Sequence, residues 1–294
     1  MRLVLTLIAG LRGRSSLPRL ASAIVEALKI GCEPMWLAPD EACDLVLDAT
    51  CPVRVEETAR TLIKGAGIDV LVQPIAGRRK HLLVADLEST IIENEMLDDL
   101  AERLGIRPRV AEITRRAMNG EIDFVAALQA RVALLKGTGA RVLKEAAAQI
   151  RLTPGARALV ATMQRAGAAT ALVSGGFTVF AEPVGAALGF DRVVANRLDL
   201  VRGRIAGTVQ PPIVTRDTKR EALLTLTAEF GLAPAQTIAV GDGANDLPML
   251  AAAGIGIAFH PKPVVAEIAR WRLDQADLTG LLYAQGYRKD EIVA

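Results

Sequence analysis

The fold of most of this chain is decided by the ten residues His81-Leu82-Leu83-Val84-Ala85-Asp86-Leu87-Glu88-Ser89-Thr90. Residues 82–85 are all aliphatic, which is the pattern of a short strand buried on both faces. The apolar run ends at Asp86, where a mostly polar segment begins. Because ligands of open α/β sheets bind beyond the carboxyl ends of the strands, this stretch predicts both a parallel sheet and a site at its edge.

Strands and helices alternate downstream of this stretch. Further aliphatic segments with strand character occupy residues 169–173, 193–195, 237–240 and 254–258, and helical apolar spacing occurs at 157–167, 219–230 and 247–253. This alternation predicts an α/β fold with a Rossmann-like parallel sheet that helices cover on both faces. Two insertions interrupt the alternation: a long helical stretch over about 93–150, the predicted helical cap, and a β-hairpin at 198–209.

The residues before Gly77 follow a different order. Strands are predicted at 3–9, 35–38, 43–49 and 70–75, and helices at 17–30 and 53–66. The order β-α-β-β-α-β is typical of a ferredoxin-like α+β domain, in which two helices cover one face of an antiparallel sheet. A polar, basic segment at 77–80 connects the two regions, so we predict domains at 1–78 and 79–294.

The composition excludes several classes of protein. The formal net charge of +2 indicates no nucleic-acid or membrane partner, and no apolar run approaches the roughly 18–20 residues of a transmembrane helix. The three cysteines form no CxxC pair, so we expect free thiols in a cytoplasmic protein and no zinc site or disulfide scaffold. The apolar run at 3–9 is too short for a secretory signal and is better explained as the first strand.

Four polar clusters lie at or near the predicted carboxyl ends of strands. They are residues 86–90, Ser174-Gly175-Gly176, Lys219 and Gly241-Asp242-Gly243-Ala244-Asn245-Asp246. Each cluster alone has an ordinary structural explanation, such as a helix cap, a glycine loop, a surface lysine or a turn. Together they supply carboxylates, hydroxyl and backbone donors and a cation, which are the groups that phosphoryl transfer requires for positioning and charge neutralisation.

From His81 onward, the order and spacing of these clusters resemble the haloacid-dehalogenase-like superfamily of aspartyl-phosphate phosphatases. More narrowly, they are similar to the phosphoserine phosphatase family, and the N-terminal unit resembles the ACT-like domain fused to many bacterial members. The resemblance implies an enzyme with Mg²⁺ as cofactor and a small-molecule substrate. It would hydrolyse O-phosphoserine to serine and phosphate, the last step of serine biosynthesis.

The resemblance implies that Asp86 is the nucleophile, because a carboxylate is ionised at neutral pH and can attack phosphorus in line. Glu88 occupies the position of the family's general acid and base, where relatives usually carry Asp. Glutamate does the same chemistry with one more methylene, and general acid–base catalysis is sensitive to distance. The change could slow the enzyme, alter its substrate or be absorbed by a small backbone shift.

The family's magnesium ligands correspond to the side chains of Asp86 and Asp242 and to the backbone carbonyl of Glu88. These are hard oxygen donors of the kind that Mg²⁺ prefers. By the same resemblance, Asp246 would hold a metal-bound water or Lys219.

The resemblance also assigns the groups that bind phosphate. Ser174 and the backbone N–H of Gly175 would bind phosphate oxygens, since glycine lets the backbone come close to an anion. Lys219 would pair with both the phosphoryl group and Asp86, and Asn245 completes the phosphate-binding set.

Phosphoserine carries an ammonium and a carboxylate, so a selective pocket needs an anion and a cation. Glu95 matches the family's ammonium-binding glutamate in its spacing from the nucleophile, and Arg131 matches its carboxylate-binding arginine. Met118 and Phe124 match the apolar residues that close over the substrate. The default explanation for these four residues is an ordinary helix surface or core, and their joint spacing favours the functional one.

Two alternative functions stay open. The chain could act on another small phosphomonoester as a phosphatase or phosphotransferase, an alternative that Glu88 favours. It could also be an amino-acid-sensing protein whose phosphatase core has weakened, although Asp86, Lys219 and Asp242 are intact. The N-terminal domain could bind serine, form a homodimer or only pack against the core.

Overall fold

The computed structural model describes residues 2–31, 33–48, 51–118 and 121–293, and for Met118 it describes the backbone only. It contains one four-stranded and one seven-stranded sheet. The prediction of a free thiol at Cys32 lies outside the described residues, whereas Cys43 is buried and free and Cys51 is exposed and free.

The four-stranded sheet comes from the N-terminal region. Its strands are β1 (Arg2–Ala9), β2 (Met35–Ala38), β3 (Ala42–Asp48) and β4 (Ile68–Pro74), and the helices between them are α1 (Leu17–Ala27) and α2 (Pro52–Leu62). The strands pair antiparallel in the order β2-β3-β1-β4, and the two helices contact each other. The predicted ferredoxin-like arrangement is therefore confirmed.

Strand β1 lies inside this sheet and is buried on both faces. Its alternate residues Leu3, Leu5 and Leu7 join the core beneath α1 and α2. Ile8 points to the opposite face and packs in the large core of the C-terminal region. Burial on both faces explains why residues 3–9 are almost uninterrupted in their apolar character, as the strand prediction required.

The seven-stranded sheet is formed by strands β5 (Leu82–Ala85), β6 (Ala169–Phe177), β7 (Arg192–Val201), β8 (Arg204–Gln210), β9 (Thr237–Gly241), β10 (Ile255–Phe259) and β11 (Trp271–Leu273). The strand order is β11-β10-β9-β5-β6-β7-β8, and every pair is parallel except the β7–β8 hairpin. The predicted parallel-sheet core is confirmed. Strand β5 lies between β6 and β9, so the carboxyl ends of these three strands meet at one edge.

The cap consists of four helices and not of one long helical stretch. They are α3 (Met96–Arg103), α4 (Arg107–Met118), α5 (Phe124–Ala133) and α6 (Arg141–Ala147). Gly105 and Gly137 have φ values of +68° and +82°, left-handed conformations that end helices readily in glycine. The four helices lie between β5 and β6 in the chain, which confirms the predicted cap insertion after the first strand of this sheet.

The remaining helices are α7 (Ala156–Arg165), α8 (Thr178–Leu188), α9 (Arg216–Glu229), α10 (Leu247–Ala252), α11 (Pro263–Ile268) and α12 (Gly280–Ala284). The sequence did not predict α8, which carries Pro183 in its interior, a residue that normally argues against a helix. It also missed β11, whose three residues are too few to show periodicity. Within the described ranges, none of the helices combines the length and apolarity needed to cross a bilayer.

Buried polar groups join the two sheets. The carboxylate of Asp69 in β4 accepts hydrogen bonds of 2.8, 3.0 and 2.9 Å from the backbone N–H groups of residues 274–276. Nε1 of Trp271 in β11 donates to the carbonyl of Val72 at 3.1 Å. Burial raises the pKa of Asp69 to about 6, against the effect of the three N–H donors. The proposed domains 1–78 and 79–294 thus share a tightly bonded interface.

Candidate active site

Three aspartates converge at the carboxyl edge of the large sheet. Asp86 directly follows β5, and its backbone N–H donates to the carbonyl of Val240 in β9 at 3.0 Å. Asp242 directly follows β9, and Asp246 precedes α10. One carboxylate oxygen from each of the three aspartates lies within 4.8 Å of the others, and all three residues are buried. The strand order therefore brings Asp86 together with two carboxylates that lie more than 150 positions further along the sequence.

Lys219 lies between two of these carboxylates. Its Nζ atom is 2.6 Å from Oδ1 of Asp86 and 2.6 Å from Oδ1 of Asp246, and its side chain is only 1% exposed. Burial by itself would lower the pKa of Lys219, but the two carboxylates raise it above its ordinary value, so the ammonium stays charged. Oγ1 of Thr215 caps the first turn of α9, which carries Lys219.

The Gly-Asp-Gly turn after β9 gives Asp246 the space to reach Lys219. A Cβ atom at Gly241 would lie 2.4 Å from Cγ of Asp246, and one at Gly243 would lie 2.4 Å from Oδ1 of Asn245. The backbone N–H of Gly243 donates to Oδ2 of Asp246 at 3.0 Å. Oδ1 of Asp246 pairs with Lys219 and Oδ2 accepts a hydrogen bond from Gly243, so both oxygens of this carboxylate fix the positions of neighbouring residues.

The aspartate cluster fits a divalent cation. Burial raises the pKa of Asp86 to about 7, and the Asp246 carboxylate adds to this, while Lys219 opposes it. Burial also raises the pKa of Asp242, against the effect of Lys262. Two carboxyl groups with raised pKa values mark an excess of buried negative charge, which a cation would relieve. The donors are all hard oxygens, the kind that suits Mg²⁺.

Glu88 is half-buried between the cluster and the cap. Its Oε1 atom accepts a hydrogen bond of 3.2 Å from the backbone N–H of Met96, the first residue of α3. Burial raises the pKa of Glu88 to about 8, and the carboxylates of Glu95 and Asp86 add to the increase. The carboxyl group is therefore largely protonated at neutral pH, which is the state that a general acid needs.

Residues 174–176, called the Ser174 loop below, form the irregular end of β6, which extends beyond the predicted strand 169–173; the register with β7 changes between Ser174 and Phe177. Oγ of Ser174 accepts a hydrogen bond of 2.9 Å from the backbone N–H of Gly176. A Cβ atom at Gly176 would lie 2.9 Å from Oε1 of Glu88, so this loop and the acid are in close contact. The structure therefore brings Ser174, one of the residues predicted to bind phosphate, close to Glu88.

The cap places two of the predicted substrate-binding residues near the cluster. Oε1 of Glu95 accepts hydrogen bonds from Oγ of Ser89 at 2.8 Å and from Nζ of Lys262 at 3.1 Å. Arg131 is half-buried on α5. Burial lowers the pKa of Arg131, while the carboxylates of Asp98, Glu88 and Glu95 oppose this. Charges of both signs are thus available beside Glu88.

Of the two apolar residues predicted to close over the substrate, the structure describes the side chain of Phe124 but not that of Met118. Cζ of Phe124 lies 3.6 Å from the position that a Cβ at Gly175 would take, so the ring covers the Ser174 loop. The Phe124 side chain remains 39% exposed, which fits a residue at the mouth of a site. The side chain of Met118 lies outside the described residues, and its role stays a prediction.

Comparison with known proteins identifies the family. Residues 83–251 match the family model of the haloacid dehalogenase-like hydrolases. The chain belongs to this family. A phosphoserine phosphatase of Streptomyces coelicolor is 42% identical over 245 residues, which cover 83% of this chain and 60% of that protein. A phosphoserine phosphatase of Streptococcus thermophilus is 45% identical over 199 residues, which cover 68% of this chain and 93% of that protein.

Solved structures of the haloacid dehalogenase-like hydrolases include one that matches almost the whole chain. It is a family hydrolase of Salmonella enterica serovar Typhi, with a TM-score of 0.87 and 27% sequence identity, covering 96% of this chain and 98% of that one. The likeness extends over the N-terminal sheet as well as the core. The chain spans 60% of the length of the Streptomyces coelicolor relative.

Two residues of this haloacid dehalogenase-like site were not predicted from the sequence. Asn196 is fully buried; its Nδ2 donates to the carbonyl of Gly175 at 2.8 Å, and its Oδ1 accepts from the backbone N–H of Val214 at 2.8 Å. Lys262 contacts Glu95, as above, and also lies 3.1 Å from Oδ2 of Asp242. Their positions in the sequence could have indicated both residues. Asn196 directly follows the predicted strand 193–195, and Lys262 lies shortly after β10, so both come where a strand reaches the carboxyl edge of the sheet.

Proposed function

We propose that this chain is a magnesium-dependent phosphoserine phosphatase that forms an aspartyl-phosphate on Asp86. The observation that carries the proposal is the buried lysine bridge, in which Nζ of Lys219 lies 2.6 Å from both Asp86 and Asp246. A buried ion pair contributes little net stability because both charges lose their hydration, and clusters of this kind are enriched at functional sites. Here the lysine would offset charge where a phosphoryl group would bind. Relatives that carry this name support the substrate assignment.

In the first step, a carboxylate oxygen of Asp86 attacks phosphorus while the bond from phosphorus to the serine oxygen breaks. Glu88, with its pKa raised to about 8, donates its proton to the departing oxygen. Lys219 offsets negative charge on the phosphoryl group, because its ammonium already lies against Asp86. Asp86, Asp242 and the Glu88 carbonyl would hold a Mg²⁺, which would supply further positive charge to offset the negative charge of the phosphoryl group.

In the second step, water attacks phosphorus and the bond between phosphorus and Asp86 breaks. Glu88, now ionised, takes the proton of the attacking water and returns to its starting state. Ser174, the Gly175 backbone N–H and Asn245 hold the phosphate oxygens through both steps. Phosphate then leaves, and Asp86 is again a free carboxylate.

Selection of phosphoserine rests on the two charged cap residues. Glu95 binds the substrate ammonium, and Arg131 binds its carboxylate through the planar guanidinium. Phe124 and Met118 close over the bound substrate. Asp246 positions Lys219 rather than touching the substrate.

We also propose a cellular compartment, a pathway and an oligomeric state for the enzyme. Free thiols at Cys43 and Cys51 fit a reducing cytoplasm, and the reaction fits serine biosynthesis. The N-terminal domain is an ACT-like domain, through which we propose a homodimer. Exposed Met35 and Trp36 on the edge strand β2 favour such a contact.

The test is phosphate release from O-phosphoserine with Mg²⁺ by the wild type and by Asp86→Asn. The amide has the shape of the carboxylate but is a far poorer nucleophile, so turnover is expected to vanish while the melting temperature is retained. Asp290→Asn is the matched control, since the Asp290 side chain is 74% exposed and lies outside the site. Substantial hydrolysis by clean Asp86→Asn protein excludes the covalent mechanism, and equal turnover of glycerol phosphate excludes the substrate assignment.

A further inference from the structure

Lys262 joins two carboxylates to which the proposed function gives different tasks. Its Nζ atom lies 3.1 Å from Oδ2 of Asp242 and 3.1 Å from Oε1 of Glu95. Asp242 is a proposed magnesium ligand, and Glu95 is the proposed ligand of the substrate ammonium. The Lys262 ammonium therefore occupies the place on Asp242 that Mg²⁺ would take and the place on Glu95 that the substrate ammonium would take.

The two lysines of the site are built differently. The side chain of Lys219 is 1% exposed and is enclosed between two carboxylates. The side chain of Lys262 is 57% exposed, and its backbone N–H donates a hydrogen bond of 3.1 Å to the carbonyl of Asp242. The partner side chains differ, since Glu95 is 41% exposed and Asp242 is 5% exposed, but water reaches the ammonium end of both pairs. An ion pair with an exposed partner is weak, so an incoming cation can replace the Lys262 ammonium at modest cost.

We infer that Lys262 is an exchangeable counter-ion, which holds Asp242 and Glu95 in position until Mg²⁺ and the substrate ammonium take its place. This inference rests on the proposed function. The Lys262 ammonium repels a divalent cation at Asp242, because both cations then lie within a few ångströms of the same carboxylate. Lys262 is thus a positioning residue that bridges the two carboxylates and offsets part of their negative charge, while lowering the affinity of the site for its metal.

The consequence is a tighter metal site when the charge is removed. Lys262→Met keeps the length and the apolar stem of the side chain but removes the competing ammonium. The Kd of Mg²⁺ is expected to fall about two- to fivefold, the upper part of the range for one charge pair with an exposed partner. Lys262→Arg keeps the positive charge and is expected to bind Mg²⁺ with the affinity of the wild type.

The experiment is calorimetric titration of the full chain with Mg²⁺ alone, in the absence of substrate. Lys289→Met is the matched control, because the Lys289 side chain is also 57% exposed and also pairs with a glutamate, Glu41, at 2.6 Å. Its Mg²⁺ affinity is expected to equal that of the wild type. Tightening in Lys262→Met alone supports the inference.

Two results would overturn the inference and are separable from failure of the proposed function. If the wild type binds Mg²⁺ and Lys262→Met binds it equally or more weakly, Lys262 is a structural residue only. Equal tightening in Lys262→Met and Lys289→Met assigns the effect to net charge. If the wild type binds no Mg²⁺ and Asp242→Asn behaves identically, the proposed magnesium site itself is wrong.

Discussion

Oε1 of Glu88 accepts a hydrogen bond of 3.2 Å from the backbone N–H of Met96, so the proposed acid is bonded to the first helix of the cap. An aspartate at this position is one methylene shorter and would not reach the same N–H without movement of the backbone. The bond also offers the first turn of α3 a side-chain acceptor for one of its free N–H groups. The extra methylene therefore connects the catalytic edge of the sheet to the element proposed to select the substrate.

Replacing Glu88 by Gln should impair hydrolysis of phosphoserine far more than hydrolysis of an aryl phosphate. The serine alkoxide needs a proton as it departs, whereas a phenolate leaves without one. Dephosphorylation also needs the base, so phosphoenzyme should accumulate with the aryl substrate and give a burst followed by slow turnover. Stopped-flow measurement of phenolate release checks this. If Glu88→Gln hydrolyses both substrates at wild-type rates without a burst, the Glu88 side chain is not the acid, and only the backbone carbonyl of Glu88 has a role, as a metal ligand.

Replacing Glu88 by Asp keeps a carboxyl group and should retain activity on phosphoserine. The shorter side chain loses the hydrogen bond to Met96, which is worth about 1 kcal/mol, so the melting temperature should fall slightly. Activity above that of the wild type would show that the longer side chain is a compromise for catalysis. Loss of activity as complete as in Glu88→Gln would show that the reach of the glutamate is required.

Replacing Gly176 by Ala should lower kcat on phosphoserine, and replacing Gly175 by Ala should do so much less. A Cβ at Gly176 would lie 2.9 Å from Oε1 of Glu88 and 3.1 Å from Oγ of Ser174, so the acid has to move. A Cβ at Gly175 would meet Cζ of Phe124 at 3.6 Å and the carbonyl oxygen of Val214 at 4.0 Å, both ordinary contacts. Steady-state kinetics on the two variants provide the comparison. Equal losses would place the sensitivity in the loop backbone instead of in the Glu88 contact.

Replacing Arg131 by Ala should selectively harm substrates that carry an α-carboxylate. Loss of one charge-assisted bidentate pair should cost about 2–4 kcal/mol in transition-state binding, measured as kcat/KM. An aryl phosphate lacks the carboxylate and should be affected much less. Arg115→Ala is the matched cap control, because Arg115 is exposed and pairs with Glu112 on the same helix. If both substrates lose equally, Arg131 has a structural role.

The stability of the chain should depend on pH through Asp69. Burial raises the pKa of this carboxyl to about 6 in the folded protein, whereas in the unfolded chain it is about 3.9. Between these values the folded state binds the extra proton, so the stabilisation is present below about pH 4 and is lost as the pH rises to about 6. The loss amounts to about 3 kcal/mol, from roughly two pH units at 1.36 kcal/mol each.

Asp69→Asn provides the reference for this pH effect, because the amide does not titrate. The difference in free energy of unfolding between wild type and variant, measured with denaturant at pH 4, 5, 6 and 7, should fall as the pH rises. A difference that grows with pH would mean that the three backbone N–H donors outweigh burial and hold the pKa below its ordinary value.

Most of the fold could be predicted from the sequence because the local spacing of apolar residues distinguishes strands from helices. Residues 82–85 and their counterparts show buried-strand runs, and the alternation of strands and helices specifies a parallel sheet. The errors occurred where tertiary packing overrides local preference. Pro183 lies inside α8, and the helical character of 93–150 conceals breaks at Gly105 and Gly137, since glycine alone does not reveal its φ.

The sequence by itself determined which residues are available for the proposed chemistry, because the proposed nucleophile, the lysine and the carboxylates appear in a fixed order. Only the tertiary structure decided their partners: that Lys219 bridges Asp86 and Asp246, and that Lys262 pairs with Glu95 across 167 positions. An isolated lysine in a polar segment has the same sequence signature whether it is buried or solvated. Its partner depends on which strands become neighbours, and that order is set by long-range packing that no local pattern records.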